Sequence, residues 1–431
     1  MPRPTPPGIE RDVGMECYLT PEDGIGGRLK TLPEDFVVEE VPLAFPPPVA
    51  EGKYTVAALR VRNWETNRLM AELAQRLRVP RETIFFAGTK DKRAVTTQYV
   101  SLRAPEDAVR ALSIRDVEVL ETRRVDRAPK IGELVGNRFV VRVRGHEGDP
   151  RPILARIEAE GGFPNYFGVQ RFGVLRPVTH LVGEAILRGE LEEAVRLYAG
   201  NPSPYEPEDS RAARAAYEKE GARALDLYPR HLSFERTLVA HLVERPGDFE
   251  GALLRLPRNL LTMFVYAAQS RAFNRVVARR MEMGLGLNEP VEGDVVFGLD
   301  AEGVPDKDRP HKVNALNLER VRRLCRQRRA LVTGVLFGSD VPLAEGRMGE
   351  LEAAVIEEMG WTREHFLVPH LPEAASFGTR RELLAPLGPV KLLDASDAHG
   401  PYSELSFFLL KGSYATCLLR EVMKSEAAAF A

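Results

Sequence analysis

Residues 87–97 read Ala-Gly-Thr-Lys-Asp-Lys-Arg-Ala-Val-Thr-Thr, and they connect two segments, 83–87 and 98–102, whose composition is typical of β-strands. The pattern predicts a sheet with a tight turn at this point. One carboxylate, Asp91, stands in the turn, and its neighbours include the cations Lys90, Lys92 and Arg93. Nearby cations keep an aspartate ionised, and a turn at a strand end exposes it to ligands. The segment therefore indicates an anion or carboxylate site at Asp91.

Two later segments also carry unusual chemistry. One is Gly136-Asn-Arg-Phe139, and the other is Pro164-Asn-Tyr-Phe-Gly-Val-Gln-Arg-Phe-Gly173, which is rich in aromatic and amide side chains for a surface connection. Each feature has a simpler structural explanation. Asp91 fits ordinary turn chemistry, Phe139 could belong to the core, and 164–173 could be a packed loop between domains. The phosphate-loop pattern GxxxxGK followed by Ser or Thr is absent.

The hydrophobic periodicity predicts an α+β fold. Short strand patterns dominate the first third of the chain, helical patterns follow, and a strand and a helix return at the end. We therefore expect a β-rich domain made from both chain ends and interrupted by a largely helical insertion of ordinary domain size. The predicted boundaries are a flexible tail over 1–20, the β-rich domain over 21–162 and 381–431, and the insertion over 163–380.

Three local predictions concern the β-rich parts. Thr66 and Ser413 are each predicted to be the N-cap of a helix. The segment Glu404-Leu-Ser-Phe-Phe-Leu-Leu410 is apolar on both faces, as expected of a central buried strand. Along 138–144, Phe139 and every second residue after it form an apolar face, and the opposite face is mostly cationic.

The overall charge gives no reason to expect a nucleic-acid partner. The 431 residues contain 60 Lys and Arg against 62 Asp and Glu, so an RNA-binding surface would need a local concentration of cations. Two such concentrations are visible. The first comprises Arg123, Arg124, Arg127, Lys130, Arg138, Arg142 and Arg144, and the second runs from Arg320 to Arg329 with Arg322, Arg323, Arg326 and Arg328. The second would by itself fit a solvated helix face.

The sequence predicts a cytoplasmic protein without a metal site. Cys17, Cys325 and Cys417 lie far apart and outside any zinc-binding spacing. No apolar run approaches the roughly 20 residues that cross a bilayer. The N-terminus, Met1-Pro-Arg-Pro-Thr-Pro-Pro7, has no apolar signal core. No coiled-coil or edge-pairing pattern is present, which favours a monomer.

Six segments together resemble the TruD family of tRNA pseudouridine synthases. They are Lys30-Thr-Leu-Pro-Glu-Asp-Phe-Val-Val-Glu-Glu40, Ala87 to Thr96, Gly136 to Phe139, Asn165 to Gly173, Gln269 to Asn274, and Lys411-Gly-Ser-Tyr-Ala-Thr416 with Leu419 to Val422. They follow one another in order from about Gly24 to about Lys424. The lead-in Gly24-Ile-Gly-Gly-Arg-Leu-Lys30 and the long insertion look more like the archaeal and eukaryotic branch than the shorter bacterial proteins.

The resemblance implies a pseudouridine synthase-like catalytic domain, with a mixed or antiparallel sheet, and a TRUD-type insertion domain. It also implies a reaction, in which a uridine in RNA is detached at C1′, turned and rejoined through C5. The catalytic aspartate of the family falls on Asp91, and the Asn and Phe of its second motif fall on Asn137 and Phe139. Most other pseudouridine synthases carry Tyr where this family carries Phe.

The implied chemistry suits these residues. Cleavage of an N-glycosidic bond gives the sugar oxocarbenium character, which one ionised carboxylate can stabilise or attack. No cofactor is expected, because the isomerisation needs no redox step or group carrier. Phe139 could stack on uracil, and Asn137 could bind a uracil edge or orient Asp91. The cation that pairs with Asp91 is left open, and the candidates are Lys30, Lys90 and Arg171.

The sequence leaves alternatives for the substrate and for the function. The family target is uridine 13 of tRNA, and in the archaeal and eukaryotic branch uridine 35 of a particular tRNA and other RNAs are alternative targets. One rival function is a non-catalytic protein of the same fold that binds structured RNA or acts as an RNA chaperone. A second rival is an enzyme acting on a small nucleoside or sugar phosphate. Asp91 argues against the first rival, because a carboxylate near a phosphate backbone weakens binding. The Arg clusters and the long insertion argue against the second.

Overall fold

The computed structural model describes residues 3–43, 47–128 and 133–430. The chain divides into two compact units. We call Glu22–Phe163 with Ala385–Ala431 the sheet unit, and Met1–Pro21 with Pro164–Leu384 the helical unit. The predicted domain boundaries, after 162 and after 380, fall within four residues of this division.

Helix α1 (Gly8–Asp12) belongs to the helical unit, and the first part of the sheet unit follows it. Its strands are β1 (Gly26–Arg28), β2 (Phe36–Pro42), β3 (Tyr54–Arg62), β4 (Ile84–Phe86), β5 (Val95–Leu102), β6 (Val117–Val125) and β7 (Leu134–His146). Its helices are α2 (Thr66–Leu77), α3 (Glu106–Arg110) and α4 (Arg151–Glu160).

The α-helix is the predominant regular structure of the helical unit, as predicted. Its main helices are α5 (Thr179–Leu187), α6 (Leu191–Ala199), α7 (Glu208–Glu220), α8 (Ser233–Glu244), α9 (Phe249–Leu253), α10 (Arg258–Glu282), α11 (Leu318–Arg326) and α12 (Gly346–Glu358). None of the helices in the described chain has the length and apolar character that a membrane span requires.

The remaining strands complete both units. Strand β8 (Gly162–Pro164) pairs with β13 (Leu384–Pro386), and the helical unit carries a four-stranded sheet of β9 (Val295–Leu299), β10 (Pro305–Lys312), β11 (Ala330–Leu336) and β12 (Thr379–Glu382) in the order β10-β9-β11-β12. The chain ends in the sheet unit with β14 (Lys391–Asp397), β15 (Gly400–Leu410) and helix α13 (Ala415–Met423).

The large sheet confirms the predicted α+β class with a mixed sheet. Its strand order is β14-β15-β7-β2-β5-β3-β6, with β1 beside β7 and β4 beside β5. All these pairs are antiparallel except β2 with β5. Strands from both ends of the chain therefore meet in one sheet, because β15 pairs with β7 along Tyr402 to Leu410.

Helix α2 packs against strands β3 and β5 of this sheet. Leu69 and Leu73, four residues apart, are fully buried against the β3 and β5 residues Leu59 and Val100. The N-cap prediction for Thr66 is wrong by one residue. The side chain of Glu65 caps the helix instead, accepting hydrogen bonds from two backbone N–H groups of the first turn, because its longer arm can reach both.

Two predictions near the C-terminus need correction. Strand β15 lies inside the sheet, between β14 and β7, but only one of its faces is fully buried, and the alternate side chains are partly exposed. Ser413 does not cap α13. The N-cap position belongs to Tyr414, and no side chain makes a cap hydrogen bond there.

The prediction of a flexible tail over 1–20 is wrong for the described residues, which start at 3. Residues 8–12 form α1, and Val13, Met15 and Tyr18 are almost completely buried. The side-chain amide of Asn274 donates to the carbonyl of Val13 over 2.9 Å. An apolar segment follows the proline-rich start, and its burial against α10 of the helical unit stabilises the folded state.

Candidate functional site

The Asp91 turn connects β4 to β5 and presents its carboxylate to solvent. The Asp91 side chain is 52% exposed, and Lys30 Nζ donates a hydrogen bond to its Oδ1 over 3.1 Å. Lys30, one of the three candidate cations, therefore pairs with Asp91. A pair this exposed adds little to folding stability, so its main effect is to orient the carboxylate.

Lys30 is itself held tightly. Its side chain is only 10% exposed, and its ammonium lies 4.6 Å from the centroid of the Phe36 ring, a cation–π distance. Its backbone has φ +52°, the left-handed region that non-glycine residues rarely adopt. The ammonium thus reaches Asp91 from a buried and conformationally defined position.

Lys90 anchors the turn rather than pairing with Asp91. Its ammonium donates to Glu40 Oε2 over 2.6 Å, and both side chains are almost completely buried. Its backbone N–H donates to Thr66 Oγ1 over 2.9 Å. Breaking a buried ion pair leaves a buried charge without its partner, at a high cost in free energy. The Lys90–Glu40 pair therefore fastens the turn to β2, while the side chain of Asp91 is exposed to solvent.

Phe139 is largely buried within an aromatic group. Its ring stacks on Phe407 at 5.3 Å and 18°, and meets Phe36 edge-on at 6.1 Å. Only 8% of Phe139 is exposed, so its core role is established, whereas stacking on a base would need the ring face opposite Phe407. The shared neighbour Phe36 connects this group to Lys30.

Asn137 belongs to a polar patch on the same face of the sheet. It lies opposite Glu40 in the register of β2 and β7. The β2–β5 register places Thr96 and Gln98 on that face too. Among the described residues, Asn137 Oδ1, Thr96 Oγ1 and Gln98 Oε1 are buried atoms without a hydrogen-bond partner. Unpaired acceptors of this kind favour a donor supplied by a ligand or water.

Sequence reasoning missed Glu40, Thr96 and Gln98. The available signal was the polar character of β5 positions 96 and 98, which lie on the same buried face as the apolar positions 100 and 102. Across residues 3–43, 47–128 and 133–430, no group of three His, Cys, Asp or Glu side chains is placed to hold a metal ion.

Arg171 lies in the helical unit, within the short 3-10 turn Val169–Arg171. Its guanidinium lies 6.0 Å from the ring centroid of Phe167, and its Nε is buried without a hydrogen-bond partner in the described chain. A role for Arg171 beside the carboxylate of Asp91 stays a prediction.

The first predicted concentration of cations is mostly committed to internal contacts. Arg123 pairs with a carboxylate of its own strand, Arg127 with Glu133, and Arg142 with Glu404 of β15. Arg124 donates to backbone carbonyls. Arg144 is buried between Asp35 and Asp397. Arg138 is exposed, and Lys130 lies outside the described residues. Most of these cations are thus paired within the protein itself, and contact of this concentration with RNA stays a prediction.

The second concentration lies on and after helix α11 of the helical unit. Val321 and Cys325, four residues apart, face the interior, whereas the arginines Arg320, Arg323, Arg326, Arg328 and Arg329 are exposed. Arg322 pairs with Glu319 on the same helix. The helix thus presents a cationic face to solvent, and contact of this face with RNA stays a prediction.

Comparison with known proteins identifies close relatives over nearly the whole chain. The family model described as tRNA pseudouridine synthase D (TruD) matches residues 12–422. A Methanococcoides burtonii protein named for that activity is 40% identical over 97% of this chain and 98% of its own. One from Thermococcus gammatolerans is 41% identical over 94% of this chain and 97% of its own. A Methanosarcina mazei crystal structure described as TruD has 38% identity and a TM-score of 0.85, covering 98% of this chain and 99% of its own.

Proposed function

Because the chain belongs to the tRNA pseudouridine synthase D (TruD) family, a family of RNA-modifying isomerases, we propose that it converts uridine 13 of tRNA to pseudouridine with Asp91 acting at C1′. One observation carries this assignment. Asp91 is an exposed carboxylate oriented by a buried lysine, on a turn that a second buried ion pair fastens to the sheet. A carboxylate placed in this way is available to a substrate and fixed in direction.

The Asp91 carboxylate has a defined task in the reaction. As the N1–C1′ bond breaks, positive charge develops on the ribose, and Asp91 either stabilises that charge or attacks C1′. The uracil then turns and bonds to C1′ through C5. The proton on C5 leaves and N1 takes one up, so no redox partner is needed. Lys30 holds the carboxylate in its orientation throughout.

Uracil recognition is assigned to the polar patch and the aromatic group. Asn137 Oδ1 is a buried acceptor without a partner among the described residues, and uracil offers one donor at N3. Flipping a nucleotide out of folded RNA costs a few kcal/mol, and stacking on Phe139 would return about 1–3 kcal/mol. Because Phe139 is largely buried, this stacking requires a small displacement of the neighbouring side chains.

Unmodified tRNA transcripts test the proposed target directly. After incubation with the protein, chemical-stop mapping is expected to show pseudouridine at position 13. A transcript with cytidine at position 13 serves as the matched control and is expected to stay unmodified. Product at uridine 35 or elsewhere would replace the proposed target, and the absence of product at every uridine would contradict the proposed reaction.

A further inference from the structure

A depression of about 260 Å³ lies in the sheet unit directly beside the Asp91 turn. Residues 62–65, which join β3 to α2, form one wall together with Arg68. The other lining residues are Lys92, from the Asp91 turn, and residues 115 and 116. Lys92 directly follows Asp91 in the chain, and consecutive Cα atoms are about 3.8 Å apart. The depression therefore adjoins Asp91.

The charges around the depression favour an anion. In the described chain, Lys92 and Arg68 are exposed and neither forms a salt bridge with a carboxylate. The other lining cations, Arg62 and Arg115, pair with Glu34 and with the lining carboxylate of Asp116. The carboxylate of Glu65 is occupied, because its two oxygens accept the backbone N–H groups of residues 67 and 68. Lys92 and Arg68 are thus cations without a carboxylate partner among the described residues.

The indole ring of Trp64 lines the same depression. The Nε1–H of Trp64 donates to the carbonyl of Arg115 over 3.1 Å, which fixes the direction of the ring. The Arg68 guanidinium lies 5.5 Å from the ring centroid. Indole rings and guanidinium planes are the groups on which unpaired bases of RNA stack. Part of Trp64 also packs against the core of the sheet unit, which supplies a rigid support.

We propose that this depression binds a nucleotide of the tRNA that flanks the target uridine, with its phosphate on Lys92 and Arg68 and its base against Trp64. The inference rests on the proposed function, since it places the target at the neighbouring Asp91. A nucleotide next to an extruded uridine must lie close to the carboxylate that acts on it. The cavity is smaller than the roughly 300–1,000 Å³ of sites that enclose small molecules, and a shallow cationic site beside an aromatic ring suits a polynucleotide.

A double substitution of exposed residues tests the phosphate contacts. In Arg68→Gln/Lys92→Gln, the Kd for a tRNA transcript is expected to rise about tenfold, and the slope of log Kd against log salt to fall by about 1–2, since each lost phosphate contact removes about 0.7–0.9. Arg76→Gln/Arg103→Gln is the matched control. Both control residues are exposed cations of the same unit, Arg76 on the same helix, and both lie outside the depression. An unchanged Kd and slope in the first variant, or equal changes in both, would overturn the proposal.

Fluorescence tests the base contact. The protein contains two tryptophans, and the second, Trp361, is buried in the helical unit. In a Trp361→Phe background, tRNA is expected to quench Trp64 emission, and inorganic phosphate to leave it unchanged. Quenching by an acidic peptide in place of tRNA would assign the depression to a protein partner. Neither Kd nor quenching depends on catalysis, so these results are independent of whether Asp91 substitution abolishes pseudouridine formation.

Discussion

Asp91→Ala is expected to reduce pseudouridine formation at least ~10³-fold, the scale observed when a group acting at the reacting centre is removed. Binding of tRNA should change much less, because Asp91 contributes a negative charge that repels phosphate. The measurement combines single-turnover product formation at saturating enzyme with the Kd for the same transcript. A large loss of rate with a retained Kd distinguishes chemistry from binding.

Two further variants control this result. Asp91→Asn keeps the size and hydrogen-bonding capacity of the side chain but removes its charge, so it should be almost as inactive. Asp107→Ala removes an exposed aspartate from α3 of the same unit and should retain activity. If Asp91→Ala still formed pseudouridine at near the wild-type rate, the assignment of Asp91 would be wrong. If neither the wild-type protein nor any variant formed pseudouridine, the non-catalytic RNA-binding alternative would gain support.

Arg144→Met is expected to lower the free energy of unfolding of the sheet unit by about 3–5 kcal/mol. Asp35 is fully buried, and Arg144 donates to both of its oxygens over 2.8–2.9 Å. Removal of the guanidinium would leave a buried carboxylate without its counter-charge. Urea denaturation checks this prediction. Arg142→Met, two residues away, loses a pair with the partly exposed Glu404 and a cation–π contact with Tyr402, and it should cost about 1 kcal/mol. Equal losses in the two variants would contradict the role given to Arg144.

The stability of the protein at low pH is a second test of the ion pairs that Arg144 makes with Asp35 and Asp397. The hydrogen bonds from Arg144 hold the pKa of Asp397 well below its usual range. A carboxyl group whose folded pKa is depressed stabilises the fold above its unfolded pKa of about 3.9, and that stability is lost as pH falls below this value. Wild-type stability should therefore decline below about pH 4, and the decline should be smaller in Arg144→Met. A pH profile unchanged by the substitution would show that Arg144 does not perturb Asp397.

Arg144 also matters for the geometry of the site. Asp35, which it binds, accepts a hydrogen bond from the backbone N–H of Leu32 over 2.9 Å. The segment that carries Lys30 is thereby tied to the start of β2. Loss of Arg144 should consequently loosen the position of the lysine that orients Asp91.

Local sequence patterns predicted most elements of the sheet unit. The four-residue spacing of Leu69 and Leu73 indicated α2, and both residues are buried as that spacing requires. Apolar alternation along 138–144 predicted the buried face of β7, on which Phe139 lies. The alternation could not show that Arg144, on the other face, would be buried, because its partners Asp35 and Asp397 are 109 and 253 residues away.

The pairing within the candidate site was beyond local patterns for the same reason. Asp91 has Lys90 as its sequence neighbour, yet its partner is Lys30, 61 residues earlier. Lys90 instead pairs with Glu40, which lies on strand β2. Lys30, Lys90 and Asp91 all lie outside the strands, so the tertiary arrangement of the loops on the assembled sheet decides which cation meets the carboxylate. The N-terminal segment was misjudged because its prolines indicated disorder, while Val13, Met15 and Tyr18 provided enough apolar surface for burial.

A structure of the Asp91→Asn protein bound to an unmodified tRNA measures the decisive distance. If the side chain at position 91 acts at the glycosidic carbon, uridine 13 will be out of its stack with C1′ about 3–3.5 Å from that side chain, the separation of groups poised to react. A uridine that remains stacked in the RNA, with residue 91 facing solvent or a phosphate, would contradict the action of Asp91 at C1′.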